Sequence, residues 1–233
     1  MSCEAMLFGD MVVAEPVSAA SGLVLCVLAL LGPPSGAYKA DLPLEFWLAR
    51  ASLFACGLGT FVFHAVADKN TARYAVNRAM WDYLTMMMVA THTLLLFFAT
   101  RQWSKALLAF VHVAAVLFAV YSNDYLSGAW LWAHTDGAIS WGIQYPLFVI
   151  PYAIMAMYVE KTYNDYKLKL PLLLSVTTAL VAWFLERFAC THATAFAHSA
   201  WHVLIGFAGT HFICFGLRSR HYVLSGWWWP GVV

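Results

Sequence analysis

The sequence predicts an all-α integral membrane protein, a bundle of seven transmembrane helices in a single domain that covers residues 1–233. The chain is 62% hydrophobic and only 11% charged, whereas soluble domains are nearer half apolar and a quarter charged. Its apolar residues fall into blocks of the roughly 20 residues that cross a bilayer as a helix. Only short polar stretches separate these blocks, and the formal net charge of +1 gives no indication of a nucleic-acid partner.

Seven apolar segments follow one another, and their lengths favour helices. They cover residues 13–32, 45–66, 78–99, 105–121, 138–159, 170–188 and 198–217. In lipid, only helical bundles and closed barrels satisfy the backbone. These segments are about twice as long as barrel strands and lack their alternation. The first one follows an acidic stretch instead of the basic start of a signal peptide, so we expect it to be retained as a transmembrane helix.

The basic residues predict the orientation of the bundle. With the amino terminus outside, the cytoplasmic side carries eight of them, namely Lys39, Arg101, Lys105, Lys161, Lys167, Lys169, Arg218 and Arg220. The opposite side carries four, Lys69, Arg73, Arg78 and Arg187, and Arg50 lies within the second segment. Because Lys and Arg are enriched in cytoplasmic loops, we expect the amino terminus outside and the carboxyl terminus in the cytoplasm.

Polar residues collect at the outer level of this predicted bundle. The orientation brings together the starts of the first, third and seventh segments and the ends of the second and sixth. The polar residues near those ends are Glu4, Glu15, Thr60, His64, Asp82, His198 and His202. Ionisable residues at membrane depth are costly and usually functional. This level is therefore the predicted site.

Three histidines at this level predict a metal centre. His198 and His202 are four residues apart, so they share one face of a helix, and His64 could supply a third nitrogen. Three imidazoles with an open position are typical of catalytic zinc, and the lack of a soft ligand also favours zinc. Asp82 is the candidate for proton transfer. The Thr60 hydroxyl is the candidate for stabilising a developing oxyanion.

Each of these residues also has a plainer explanation. A His–x–x–x–His pair at a helix start is often interfacial polarity or packing. Asp82 would favour the amino end of its helix through the helix dipole, and Thr60 would bond to its own backbone. His92 and His211 lie deeper in their segments, where we expect them to be packed or hydrogen-bonded. The convergence of several groups at one level favours a site over these separate explanations.

The motifs resemble the alkaline ceramidases, members of a superfamily of seven-helix membrane hydrolases that includes the adiponectin receptors. The matching stretches are GLGTFVFH (57–64), MWDYL (80–84), ERFAC (186–190) and HSAWH (198–202). The resemblance implies zinc-dependent hydrolysis of the amide of ceramide or a related N-acyl sphingoid lipid. It places zinc on His64, His198 and His202, proton transfer on Asp82, and Thr60 at the position of the family's serine. It also implies an ER or Golgi membrane in a eukaryote, or the inner membrane in a bacterium.

The same resemblance extends to the amino-terminal stretches SCEAM (2–6) and AEPVS (14–18). It implies calcium ligands at Glu4 and Glu15, although Ser2 and Met6 replace a Trp and an Asn of the family pattern. Calcium prefers six to eight oxygens, so a capping or interfacial role is the simpler account of Glu15. The resemblance further implies a disulfide between Cys3 and Cys190, which belong on the outer, oxidising face.

Three rival functions accompany this interpretation. A lipid receptor on the same scaffold would keep zinc without appreciable turnover, and an ester-lipid hydrolase would use the same centre on another bond. A retinal protein needs a lysine in the last segment, and residues 198–217 contain none. The sequence leaves the acyl chain, the sphingoid base and the oligomeric state open.

Overall fold

The computed structural model describes the chain as an assembly of α-helices. The described residues are 15–31, 42–65, 72–98, 106, 110, 113, 150–161, 166–189, 191, 194 and 196–219. Within them lie six helices and no strand: α1 (Pro16–Leu30), α2 (Leu44–Ala65), α3 (Ala72–Phe98), α4 (150–161), α5 (Tyr166–Phe188) and α6 (Ala197–Ser219). The all-α class predicted from the sequence is confirmed for these ranges.

Local sequence explains where α1 begins and ends. Pro16 occupies the first helical turn, where its fixed φ suits a helix and its missing N–H is not needed. The sequence continues after the helix with Gly32, Pro33 and Pro34, which do not extend a helix. The helix is therefore 15 residues long, about 22 Å at 1.5 Å per residue. It is shorter than the predicted segment 13–32.

The other predicted segments agree with the structure to different degrees. Helices α2 and α6 begin and end within two residues of the predicted 45–66 and 198–217. Helix α3 begins at Ala72, not at 78, because the helix continues through the polar residues that precede the apolar run. Helix α5 begins at Tyr166 and contains Pro171 in its second turn. Of the fourth segment only residues 106, 110 and 113 are described, and of the fifth only those from 150 onward.

Helix α6 is the central element of the described bundle. It packs against α1, α2, α3 and α5. One core cluster joins Leu25, Phe46, Leu53, Met86, Trp201 and Ile213 of four helices. A second cluster joins α3, α4 and α5 to the other side of α6 through Phe97, Met155, Leu172 and Phe212. Residues near the start of α6 are therefore surrounded by the ends of several other helices.

Two glycines allow α1 and α2 to approach closely. A Cβ atom on Gly57 would lie 2.6 Å from the Gly22 carbonyl oxygen and 2.8 Å from the Cys26 amide nitrogen. A Cβ atom on Gly22 would lie 2.7 Å from the backbone of Gly57 and of Phe61. Small residues permit such backbone contact between helices in membranes. The contact brings the beginning of α1 next to the end of α2, where His64 lies.

Two helices are long and apolar enough to cross a membrane, Leu44–Ala65 and Ala197–Leu217. Shorter apolar stretches cover Pro16–Leu30, Leu84–Phe97 and Lys169–Leu185. Roughly 20 apolar residues match the thickness of the bilayer core. By length and composition, the described helices are thus compatible with membrane association.

Candidate metal centre

Three histidines from two helices form one group beside the α1 amino end. His64 comes from the last turn of α2, and His198 and His202 come from the first two turns of α6. Each offers one ring nitrogen, and these three nitrogens lie within 4.8 Å of one another. The ring centroids are 4.4–5.1 Å apart. The group could hold a metal ion, as the sequence predicts.

The free nitrogens of two of these rings fit a metal ion. His64 and His202 are each 2% exposed, and among the described residues their Nε2 atoms have no hydrogen-bond partner. A buried polar atom without a partner is costly, and coordination of a cation would satisfy both atoms. Coordination of one ion by all three rings would bring their nitrogens, which lie within 4.8 Å of one another, closer together.

The opposite nitrogens of the same two rings contact helix α1. His64 Nδ1 is hydrogen-bonded to the carboxylate of Glu15. His202 Nδ1 lies 2.8 Å from Ser21 Oγ. Metal-bound histidines usually bind a carboxylate, carbonyl or similar group through the second ring nitrogen, which holds the ring in place. Both contacts therefore have the pattern of outer-shell support for metal ligands.

Asp82 and Thr60 lie beside the histidines as a hydrogen-bonded pair. The Thr60 hydroxyl donates to Asp82 Oδ1 at 2.5 Å, and both side chains are buried. The Asp82 carboxylate also interacts electrostatically with His64 and His198. Because α3 begins at Ala72, Asp82 lies nearly three turns inside the helix, and the helix dipole does not explain it. The Thr60 hydroxyl thus bonds to a side chain of the neighbouring helix.

A small apolar cavity lies beside His202. Its volume is about 20 Å³, which is room for roughly one water molecule. His202, Thr60 and Trp201 lie at its polar side, and its other walls are Leu25, Leu53, Cys56, Met86, Val89, Tyr152, Ile205 and Gly206. The lining is mostly apolar with a few polar groups, as in many ligand pockets, but the cavity itself is far smaller than such pockets. Met86 thus lines the cavity, while the neighbouring Met87 is buried.

The remaining predicted site residues are only partly described. Glu4, Cys3 and Cys190 lie outside the described residues, and the described cysteines Cys26, Cys56 and Cys214 are free thiols. Glu15 is described and is 4% exposed. It precedes α1, but its side chain makes no capping hydrogen bond. Its carboxylate binds His64, a role that the sequence analysis did not consider.

The two histidines expected to be structural have polar partners away from the group. His92 Nδ1 lies 2.5 Å from Ser52 Oγ, between α3 and α2. His211 Nδ1 donates to the Phe207 carbonyl oxygen at 2.6 Å, within α6. Both are thus hydrogen-bonded, as the sequence analysis predicts, and neither belongs to the histidine group.

Sequence reasoning missed the contribution of small polar residues in α1. Besides Ser21, the Ser18 hydroxyl lies 3.0 Å from that of Ser199, which follows His198. Ser18 and Ser21 are three residues apart in an apolar helix, so they share a face. That spacing indicates that one face of α1 contacts polar side chains of another helix, but it does not indicate that this helix is α6.

No protein-family model matches the chain, and a search of curated proteins gives no match.

Proposed function

We propose that this protein is a zinc-dependent membrane amidohydrolase that cleaves ceramide or a related N-acyl sphingoid lipid. The observation that carries the proposal is the histidine group His64, His198 and His202, with the Asp82–Thr60 pair beside it. The resemblance of the motifs to alkaline ceramidases supports the choice of substrate.

Zinc held by three imidazoles leaves a coordination position for water or substrate, acidifies bound water and polarises a carbonyl group. The three histidines would hold the ion through their ring nitrogens. Among the described residues, no other set of three His, Cys, Asp or Glu residues is gathered as a candidate metal site. The chemistry of this donor set favours zinc over ions that prefer oxygen ligands.

Asp82 is proposed as the group that moves the proton. Thr60 donates to Oδ1 and fixes the orientation of the carboxylate, which leaves Oδ2 for the attacking water. Oδ2 accepts one water proton as the oxygen bonds to the amide carbon. The carboxyl group then gives that proton to the nitrogen as the C–N bond breaks. The products are a fatty acid and a sphingoid amine, and general acid–base catalysis of this kind typically contributes 10²–10⁴-fold.

The apolar lining of the cavity favours an apolar substrate. Its walls are mainly Leu, Met, Val and Ile side chains, and its polar groups are confined to the histidine end and Tyr152. The cavity as it stands holds about one water molecule, so an acyl chain would enter only if the apolar side chains that line it moved apart. This lining favours lipid amides over small polar amides.

We infer that the bundle crosses the membrane seven times, with the amino terminus outside. Support comes from the outward faces of the helices, which carry large exposed apolar side chains. These include Leu23, Val27, Leu30, Trp47, Leu58, Val62, Leu173, Leu174, Val181 and Phe184. Soluble monomers rarely expose such extensive apolar faces, whereas contact with lipid stabilises them. The histidine group then lies near the outer surface.

The test is to measure metal content and lipid cleavage on the same purified protein. Wild type should contain one zinc per chain and release fatty acid from ceramide, and the double substitution His198→Ala, His202→Ala should lose both. His211→Ala is the matched control, because it changes a histidine of the same helix outside the group and should retain zinc and turnover.

Three other results would contradict the proposal. Zinc binding without cleavage of ceramide or ester lipids would favour a receptor on this scaffold. Preferential cleavage of ester lipids in competition with ceramide would favour an ester hydrolase. Well-folded wild type without any bound metal would exclude a metal-dependent mechanism.

A further inference from the structure

Helix α1 contains a polar face that contacts the histidine group without belonging to it. Glu15, at its start, binds Nδ1 of His64, and Ser21 lies against Nδ1 of His202. These contacts join residues 49 and 181 positions apart in the sequence. All four side chains are buried, and such groups need defined hydrogen-bond partners.

The hydrogen bonds of Ser21 indicate which nitrogen of His202 carries the proton. A serine hydroxyl has one proton to donate. Ser21 donates it to the Ser18 carbonyl oxygen at 2.6 Å. With that assignment the same oxygen accepts a hydrogen bond from His202, whose imidazole also interacts with the Ser18 backbone. Both contacts are consistent with a proton on Nδ1 of His202. The lone pair of a neutral ring then lies on Nε2.

The carboxylate of Glu15 imposes the same state on His64. A carboxylate is an acceptor, so the hydrogen bond to His64 requires a proton on Nδ1. The lone pair of neutral His64 again lies on Nε2. These are the two buried Nε2 atoms that have no hydrogen-bond partner among the described residues. Helix α1 thus prepares both rings to bind a cation by the same nitrogen.

We propose that Glu15 and Ser21 are positioning residues that hold His64 and His202 in their metal-binding tautomer before the metal arrives. The inference rests on the metal centre of the proposed function and assigns α1 a specific task in it. Glu15 adds a buried negative charge next to a ligand, which increases the ligand's basicity and compensates part of the cation's charge. Ser21 contributes orientation without charge.

Ser21→Ala and Glu15→Ala should each weaken zinc binding by roughly 10- to 100-fold, the usual cost of losing an outer-shell partner. Ser21→Thr keeps the hydroxyl and should restore most of the affinity. Glu15→Gln keeps an oxygen that accepts from Nδ1 but removes the charge, so its affinity should be intermediate. Zinc affinity is measured by competition with a chelator of known affinity, without any lipid substrate.

Ser18→Ala is the matched control, because Ser18 is also buried, lies on α1 and reaches α6 through Ser199. The substitution removes the hydroxyl that contacts Ser199 and keeps the Ser18 backbone, so zinc affinity should stay within about threefold of wild type. Thermal unfolding of the metal-free proteins separates a loss of folding from a loss of affinity. If Ser18→Ala weakens zinc binding as much as Ser21→Ala, the effect is general packing and the proposal is wrong.

A second readout tests the tautomers directly. Nitrogen-15 NMR of the metal-free protein distinguishes protonated from unprotonated imidazole nitrogens. It should show Nδ1–H for His64 and His202 in wild type, and a changed His202 signal in Ser21→Ala. Protons on Nε2 in wild type, or unaltered zinc affinity in Glu15→Ala and Ser21→Ala, would overturn the inference. Lipid turnover by wild type tests the proposed function separately, since zinc affinity and tautomers do not depend on it.

Discussion

At the scale of single residues, the candidate site is a set of buried polar groups that satisfy one another. Thr60 donates to Asp82, and Glu15 binds His64. An unpaired buried carboxylate would cost far more free energy than a paired one. Each acidic residue is therefore stable at this depth because a specific partner is present, and the partners are the proposed catalytic and metal-binding residues.

Asp82→Asn is the residue change that separates chemistry from metal binding. The amide retains the shape of the side chain but cannot carry the transferred proton. We expect ceramide turnover to fall by about 10²- to 10⁴-fold with zinc content unchanged. Glu160→Gln changes an exposed carboxylate that pairs with Lys169, and it should leave turnover as in wild type. Near-normal turnover in Asp82→Asn would remove Asp82 from the mechanism.

At the scale of helices, close packing of α1 against α2 positions the support for the histidines. Gly22 and Gly57 bring the two backbones into contact. At the other end of α1, the buried guanidinium of Arg50 donates to the carbonyl oxygens of Ala29 and Leu31. These carbonyls lack helical partners at a helix end, so Arg50 satisfies them from the neighbouring helix. Helix α1 is thus held by α2 at both ends.

Gly57→Ala tests this packing. The added methyl group would overlap backbone atoms of Gly22 and Cys26, and overpacking typically costs about 1–3 kcal/mol. We expect a lower thermal midpoint in detergent and weaker zinc binding, because displacing α1 moves Glu15 and Ser21. Gly209→Ala is the control, since its nearest contact would be an ordinary 3.7 Å to the Tyr152 hydroxyl. Equal midpoints for the two variants would contradict the proposed role of the contact.

At the scale of the whole molecule, α6 joins the parts of the bundle, and its position depends on all of them. Its first turns carry His198 and His202, and its later turns pack Phe212 and Ile213 into the two core clusters. A metal ion bound by α2 and α6 would connect helices far apart in the sequence. The inferred topology has an odd number of crossings, so the chain ends should lie on opposite sides of the membrane.

Epitope tags at the two ends test that topology. In sealed membrane vesicles of known orientation, protease should remove the amino-terminal tag only from the outer side and the carboxyl-terminal tag only from the cytoplasmic side. Detergent permeabilisation should make both tags accessible, which controls for tags hidden by folding. Removal of both tags from one side would require an even number of crossings and contradict the seven-segment arrangement.

Much of the architecture could be predicted because it depends on local pattern. Helices α2 and α6 follow from apolar runs of nearly their own length, and His198 and His202 share a face because they are four residues apart. The start of α3 was predicted six residues late, because hydropathy marks the apolar part of a helix and not its hydrogen-bonded end. The alternative explanation of Asp82, a favourable position at the amino end of its helix, required the helix to begin near residue 78. It fails because the helix begins at Ala72.

The sequence by itself determined the helical class, the candidate histidines and the presence of Asp82 and Thr60 near them. Residue type and spacing along one helix are enough for such inferences. Only the tertiary structure decided that Glu15 binds His64, that Ser21 supports His202, and that Thr60 donates to Asp82. These pairs lie on different helices, and their contacts depend on how closely the helices pack and how each is rotated. That information resides in the assembled bundle, because no local periodicity specifies it.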